Sequence, residues 1–265
     1  MNFDHLRTIP CRFFRSRTWL GLVSLLVAVC LWELVARTAH LPAFILPSPL
    51  QVWLRFLIAV SDGSLFINTG VTLLEILLGL FCGAALATVL GYLVAKSRAL
   101  ERVLSPYLVA SQAIPLVAIA PLLVIWFGPG MFSKVLICSL IVFFPVLVNT
   151  VVGVRAVPPA LLDLMHSLHA SRAQTLVKLE VPAALPVFLG GLRIGATLSV
   201  IGAVVGELVG SNQGLGFLIN VGRGQYDTAL VFVAIFMLIV LALCLYGLVA
   251  WLESRALVWQ EWRKE

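Results

Sequence analysis

The residues that could do chemistry in this sequence are three glutamates in apolar segments and two histidines in a polar stretch. Glu33, Glu75 and Glu207 each lie within or at the end of a long apolar run. A carboxylate inside a membrane is costly unless it is paired or protonated, so each glutamate is a candidate ion-pair partner or proton site. His166 and His169 share a helix face by their spacing, but no third metal ligand is evident beside them. A membrane-embedded enzyme is therefore disfavoured, and an ion-coupled secondary transporter is kept as an alternative.

The composition is that of an integral membrane protein. Hydrophobic residues make up 61% and charged residues 11% of the 265 residues, against roughly 45–50% and about 25% in soluble domains. The formal net charge of +6 therefore reports membrane orientation and does not indicate nucleic-acid binding. The five cysteines are scattered singly, without the pairing typical of a metal site.

The predicted fold class is all-α and integral to the membrane, with six transmembrane helices. A basic arm, residues 1–17, precedes a first span that is long for a cleaved signal peptide and is interpreted as retained. In the external loop, residues 40–64, a proline-rich stop and an amphipathic pattern predict a short helix on the outer face. A tail, residues 254–265, follows the core, residues 65–253. The predicted spans are residues 18–39, 65–95, 105–127, 135–152, 186–209 and 229–250.

The basic residues predict how these spans are oriented. Six spans place both termini on one side of the membrane. If that side is the cytoplasm, only four of the 18 lysines and arginines lie outside: Arg37, Arg55, Lys134 and Arg223. This distribution follows the positive-inside rule. We therefore expect a multi-pass protein of the cytoplasmic membrane with cytoplasmic N- and C-termini.

The polar stretch between the fourth and fifth spans, residues 158–182, is called the elbow below. Pro158 and Pro159 suit a helix start, and Ser171 with Gln174 forms a capping box for a second helix. Pro182 is expected to end that second helix. The apolar positions recur at helical spacing: Leu161, Leu162, Met165, Leu168, Leu176, Val177 and Leu179. The elbow would display an apolar ridge to the cytosol, and this ridge needs a partner.

The third span is a candidate for lining a translocation path. Its two prolines free backbone carbonyls, which the membrane interior tolerates only beside protein or a water-filled cavity. Glu207 is either part of such a path or a cap for the turn at residues 211–216. The candidate path residues are Gln112, Pro115, Pro121, Asn149, Arg193 and Glu207.

The elbow resembles the cytoplasmic coupling loop of permease subunits of binding-protein-dependent ABC importers. The signature of that loop is Glu-Ala-Ala, three residues, Gly, nine residues, Ile, one residue, Leu-Pro. Its spacing places Asp163-Leu164-Met165 on the first triplet, His169 on the glycine, Leu179 on the isoleucine and Val181-Pro182 on the last pair. A glycine there suggests a positive φ after the first helix, which would cost a histidine about 1 kcal/mol.

Further motifs, in order along the chain, are similar to the nitrate, sulfonate and taurine permease group. They are Ile45-Leu46-Pro47-Ser48-Pro49, Ile125-Trp126-Phe127-Gly128, Phe143-Phe144-Pro145, Asn149-Thr150, Pro182-Ala183-Ala184-Leu185-Pro186, Gly191-Leu192-Arg193 and Gly214-Leu215-Gly216. Two stretches, residues 111–115 and 202–207, look more like permeases for thiamine pyrimidine precursors and riboflavin. Sulfonate permeases tend to have Arg-Pro where Gln112-Ala113 stand, and glutamine suits a neutral or heteroaromatic solute better than an oxyanion. A vitamin-like solute is therefore favoured over nitrate, taurine or aliphatic sulfonates.

The resemblance implies a type I importer permease fold and alternating access. It implies three kinds of protein partner: a pair of ABC ATPase subunits at the elbow, an extracytoplasmic substrate-binding protein, and a second, identical permease copy. The sequence has no Gly-x-x-x-x-Gly-Lys-Ser/Thr phosphate loop. We therefore expect a transport subunit in the lipid bilayer that is not itself an enzyme and holds no cofactor, with ATP bound by the partner subunits.

Overall fold

The computed structural model describes residues 12–38, 42–113 and 116–259. This part of the chain is helical throughout, with short turns between the helices. The helices are α1 (Arg12–Thr38), α2 (Pro49–Ser61), α3 (Ser64–Lys96), α4 (Arg98–Ala113), α5 (Leu116–Phe127), α6 (Met131–Arg155), α7 (Pro159–Ser167), α8 (Arg172–Thr175), α9 (Val181–Gly210), α10 (Leu215–Gly224) and α11 (Thr228–Ala256).

Four helical segments are long and apolar enough to cross a membrane. They are α3, α6, the segment from Arg172 to Gly210, and α11. Their outward faces expose large apolar side chains such as Phe81 and Leu243. Water would not tolerate so much contiguous apolar surface on a monomeric protein, whereas lipid is its natural solvent.

The centre of the molecule is a bundle of three long helices, α3, α6 and α9. Small residues let these backbones approach closely, as is usual where lipid gives no hydrophobic drive to association. A Cβ added to Gly79 of α3 would lie 2.2 Å from the Cβ of Cys138 in α6. A Cβ added to Gly202 of α9 would lie 2.9 Å from the Cα of the same Cys138. These three helices therefore pack closely at their glycines.

The remaining helices surround this bundle. α11 packs on α9, α10 and α2, and Trp32 of α1 stacks on Phe232 of α11 with ring centroids 5.3 Å apart. The predicted short helix after Pro47 is confirmed as α2. Ser48 caps it through a capping box with Gln51, and Asp62 ends it before Gly63, whose φ is +76°.

Two features differ from the sequence expectation. The predicted third span, residues 105–127, is described as α4 and α5, with residues 114–115 between them outside the described part. The second helix of the elbow does not end at Pro182, so that prediction was wrong. Residues Leu176–Glu180 form a π-helical turn in which the Val181 N–H donates to the Leu176 carbonyl, and α9 continues directly from it. Pro182 then lies in the first turn of α9, where its missing N–H and its ring are tolerated.

Candidate functional site

The elbow exposes the apolar ridge that the sequence predicts. Leu161, Leu164 and Leu168 lie three or four residues apart on one face of α7 and its end, and they are 42%, 53% and 67% exposed. Val177, in the π-helical turn, is 64% exposed. Leu162 and Met165 are half-buried. One face of α7 is therefore partly covered, and the other face exposes its leucines to solvent.

The turn between α7 and α8 has the geometry expected of a glycine-containing loop, although it contains His169. The φ of His169 is +54°. The Ala170 N–H donates to the Met165 carbonyl and the His169 N–H donates to the His166 carbonyl, which is the hydrogen-bond pattern of a Schellman motif. The predicted positive φ at this position is therefore confirmed, and the loop keeps its course without the glycine.

The start of the second elbow helix is also as predicted. Ser171 Oγ accepts from the Gln174 N–H at 3.3 Å, and the Gln174 side chain accepts from the Ser171 N–H at 2.8 Å. Asp163 and Gln174 are exposed, while Leu176 and Leu179 are half-buried. The two helix starts and the turn between them thus hold the exposed leucines in a fixed arrangement.

A second polar site lies at the other end of the bundle, where α3, α6, α9 and α10 meet. The buried Lys134 ammonium donates to Glu75 Oε1 at 2.8 Å, so Glu75 is an internal ion-pair partner. Glu207 is fully buried; its Oε1 accepts from Thr72 Oγ1 at 2.6 Å and its Oε2 from the Gly216 N–H at 2.5 Å. The second contact lies at the start of α10, which confirms the capping role considered for Glu207.

Sequence reasoning missed the partners that complete this polar cluster. Asn68 Oδ1 accepts from the Gly214 N–H at 2.7 Å, and Thr72 Oγ1 accepts from the Leu215 N–H at 2.8 Å. Together with Glu207, these side chains satisfy three backbone donors at the start of α10. Asn68, Thr72 and Glu75 follow at helical spacing in an otherwise apolar α3, and that polar stripe was the available signal.

The other candidate path residues do not converge on one point. Asn149 donates to the Pro145 carbonyl at 2.8 Å and packs against Gly191 of α9. Arg193 forms an ion pair with Glu253 of α11, and its guanidinium lies 5.1 Å from the centroid of the Tyr246 ring. Pro121 is exposed within α5. Gln112 belongs to α4, but its side chain and all of Pro115 lie outside the described residues.

Glu33 and Glu101 also form ion pairs. Glu33 accepts from Arg37, four residues later in α1, at 2.5 Å. At the elbow end, Glu101 of α4 pairs with Arg155 at the end of α6, and the hydrogen bond from Arg155 lowers the pKa of the Glu101 carboxyl. Within the described residues, no three histidine, cysteine, aspartate or glutamate side chains come together as metal ligands do.

Comparison with known proteins identifies the family. Residues 76–258 match the family described as the binding-protein-dependent transport system inner membrane component. The match runs from within α3 to the end of α11, and it includes the elbow, Lys134 and Glu207. The chain belongs to this family. It is an ABC importer permease, a transport subunit whose ATPase activity is on a separate subunit.

Curated relatives of this permease are similar along nearly their whole length. The riboflavin transport system permease protein RibX of Chloroflexus aurantiacus is 46% identical over 91% of this chain and 90% of that protein. The formylaminopyrimidine transport permease protein ThiX of Halalkalibacterium halodurans is 38% identical over 89% and 94%. The taurine transport system permease protein TauC of Escherichia coli is 32% identical over 96% and 95%.

Solved structures of ABC transporters have the same fold. One chain of the inward-facing MetNI methionine ABC transporter aligns with a TM-score of 0.61 and 19% identity, covering 71% of the permease and 94% of that chain. A chain of an amino acid ABC transporter aligns with a TM-score of 0.57 and 21% identity, covering 76% and 98%. Membership of this family implies an ATPase and a substrate-binding protein as partners of the permease.

Proposed function

We propose that the permease transmits energy from its ATPase partners through the elbow, and that it works as a dimer of two identical copies. In this proposal each copy has six spans, with both termini and the elbow in the cytoplasm. The observation that supports it most directly is the row of exposed leucines, Leu161, Leu164 and Leu168, on a short helix that ends in a Schellman motif. Three leucines exposed together on a soluble surface favour a protein partner.

The test of this proposal uses the complete transporter of permease, ATPase subunits and binding protein. In the double variant Leu164→Asp with Leu168→Asp, each aspartate places a charge in the proposed contact and removes apolar area. We expect the variant to insert in the membrane but to lose co-purification of the ATPase subunits. The matched control is Ser167→Asp, which adds a charge at a neighbouring exposed position of α7 and should retain the ATPase. Normal co-purification and ATP hydrolysis in the double variant would contradict the proposal.

We also propose that the cargo is a heterocyclic vitamin or vitamin precursor, similar to riboflavin or a thiamine pyrimidine. Two relatives that support this are named for riboflavin and formylaminopyrimidine transport, at 46% and 38% identity. Gln112-Ala113, where sulfonate permeases tend to have Arg-Pro, supports the same class of solute. Relatives named for aliphatic sulfonate and taurine transport, each 32% identical, make a sulfonate the second candidate.

Cargo is best tested on the binding protein that serves this permease, because that protein selects the solute first. Thermal unfolding of the purified binding protein would be measured with riboflavin, formylaminopyrimidine, taurine, an alkyl sulfonate and nitrate. We expect stabilisation by one of the two heterocycles. Stabilisation by taurine, the sulfonate or nitrate alone would overturn the proposed cargo and leave the permease assignment unaffected.

A further inference from the structure

A buried carboxylate lies where the elbow joins α9. Glu180 is the last residue of the π-helical turn and is only 3% exposed. Its side chain accepts hydrogen bonds from the Lys96 ammonium and, at 3.0 Å, from the Tyr92 hydroxyl. Both donors belong to the last two turns of α3. The end of the elbow that joins α9 is therefore hydrogen-bonded directly to the C-terminal end of α3.

The buried Glu180 carboxylate requires these partners. A buried carboxylate loses its hydration and is stable only when charged or hydrogen-bonding partners replace it. Glu180 has two such partners, and the Lys96 ammonium also lies 5.8 Å from the centroid of the Tyr92 ring. Among the ion pairs of the described residues, this one alone connects the elbow to another helix. None of the other five pairs lies where the elbow meets α9, a place called the joint below.

The helices on the two sides of the joint are continuous with each other. α8, the π-helical turn and α9 form one continuous helical segment, so a displacement of the elbow must displace the start of α9. π-Helical turns within α-helices occur frequently at functional sites. Beside the joint, α3, α6 and α9 line a partly open pocket of about 390 Å³, whose walls are mainly apolar side chains that include Leu93, Val154 and Phe188. The pocket leaves unfilled space between the ends of these three helices.

We propose that Glu180, held by Lys96 and Tyr92, is a positioning residue that transmits movement of the elbow to α3 during the transport cycle. Without the contact of Glu180 with Lys96 and Tyr92, the elbow would still be connected to α9 through the backbone. It would have no ion pair with α3. This inference rests on the proposed docking of the ATPase at the elbow. It extends that proposal by naming the side chains through which the movement leaves α9.

The experiment compares nucleotide-dependent movement of α3 in the complete transporter. A spin label is attached at Leu93→Cys, on α3 beside the pocket, in a permease without its native cysteines. Its spectrum is recorded with and without ATP and vanadate, and co-purification of the ATPase subunits is measured in parallel. The variants are Glu180→Gln, Lys96→Gln, and the exchange of charges in Glu180→Lys with Lys96→Glu. Lys96 has a side chain that is 42% exposed, so its replacement perturbs folding less than replacement of Glu180.

In the wild type we expect a nucleotide-dependent change at the Leu93 label. Glu180→Gln and Lys96→Gln should still bind the ATPase, but most of the nucleotide-dependent change at α3 should be lost. Exchange of the two charges should restore most of the change at α3, because it forms the ion pair again with its charges reversed. Retained co-purification of the ATPase in the single variants distinguishes this role from a purely structural one.

Three results would overturn the inference: a full response in Glu180→Gln, no response in the wild type, or no recovery in the charge-exchanged variant. Failure of both single variants to assemble would also overturn it, because Glu180 would then be a folding determinant only. The proposed docking fails separately, when Leu164→Asp with Leu168→Asp still binds the ATPase.

Discussion

His169 adopts a backbone conformation that glycine adopts more easily. With φ at +54°, its Cβ costs about 1 kcal/mol relative to glycine. We expect His169→Gly to raise the free energy of unfolding by about that amount, measured by denaturant titration of the purified permease. The control is His166→Gly, inside α7, where glycine should lower stability by about 1 kcal/mol. An unchanged or lower stability in His169→Gly would show that the imidazole makes compensating contacts.

The Lys134–Glu75 pair is buried on both sides, with side chains 7% and 0% exposed. Lys134→Met removes the cation and leaves the Glu75 carboxylate without its charge partner. We expect a loss of about 3–5 kcal/mol in the free energy of unfolding. The double variant Glu75→Gln with Lys134→Met removes both charges and should recover most of the loss. Equal losses in the single and double variants would mean that the pair matters through packing and not through charge.

At the scale of the helices, close packing of α6 with α9 depends on residues without side chains. A Cβ at Gly202 would lie 2.9 Å from the Cys138 Cα, whereas a Cβ at Gly190 would have no neighbour within 4 Å. We expect Gly202→Val to lower the free energy of unfolding by about 1–3 kcal/mol and Gly190→Val to be nearly neutral. Thermal unfolding in detergent measures both, and similar values for the two variants would contradict the described packing.

The sequence predicted helix starts and turns better than helix continuity. The Ser171–Gln174 capping box, the positive φ at His169 and the short α2 are local features, and local hydrogen-bonding chemistry determines them. Pro182 was expected to end a helix because a proline removes one hydrogen bond. The helix continues because a π-helical turn precedes the proline, and the last residue of that turn, Glu180, is bound by Tyr92 and Lys96 of α3. The partners of Glu75, Glu180 and Glu207 come from distant helices, so one sequence alone could not identify them.

For the whole molecule, α9 connects the elbow at one end of the helix bundle with the polar cluster around Glu207 at the other end. The elbow is continuous with α9, and α9 packs against α6 and α3 along most of its length. At the far end, the cluster around Glu207 binds α9 to α3 and α10. In the proposed mechanism, this connectivity would carry a displacement at the elbow to the opposite face as a shift of the bundle.

The central claim, that the elbow is the docking site of the ATPase, is tested most directly by cross-linking. Single cysteines at Leu164→Cys or Leu168→Cys, in a permease without its native cysteines, would be labelled with a benzophenone maleimide and irradiated in the assembled transporter, so that the photoreactive end can insert into C–H bonds of a neighbouring subunit. The control is Leu243→Cys, which is on the exposed apolar face of α11. We predict a covalent product of permease and ATPase from both elbow positions and none from the control. If the elbow cysteines instead react with an impermeant maleimide added outside intact cells, and give no product with the ATPase, the account is wrong.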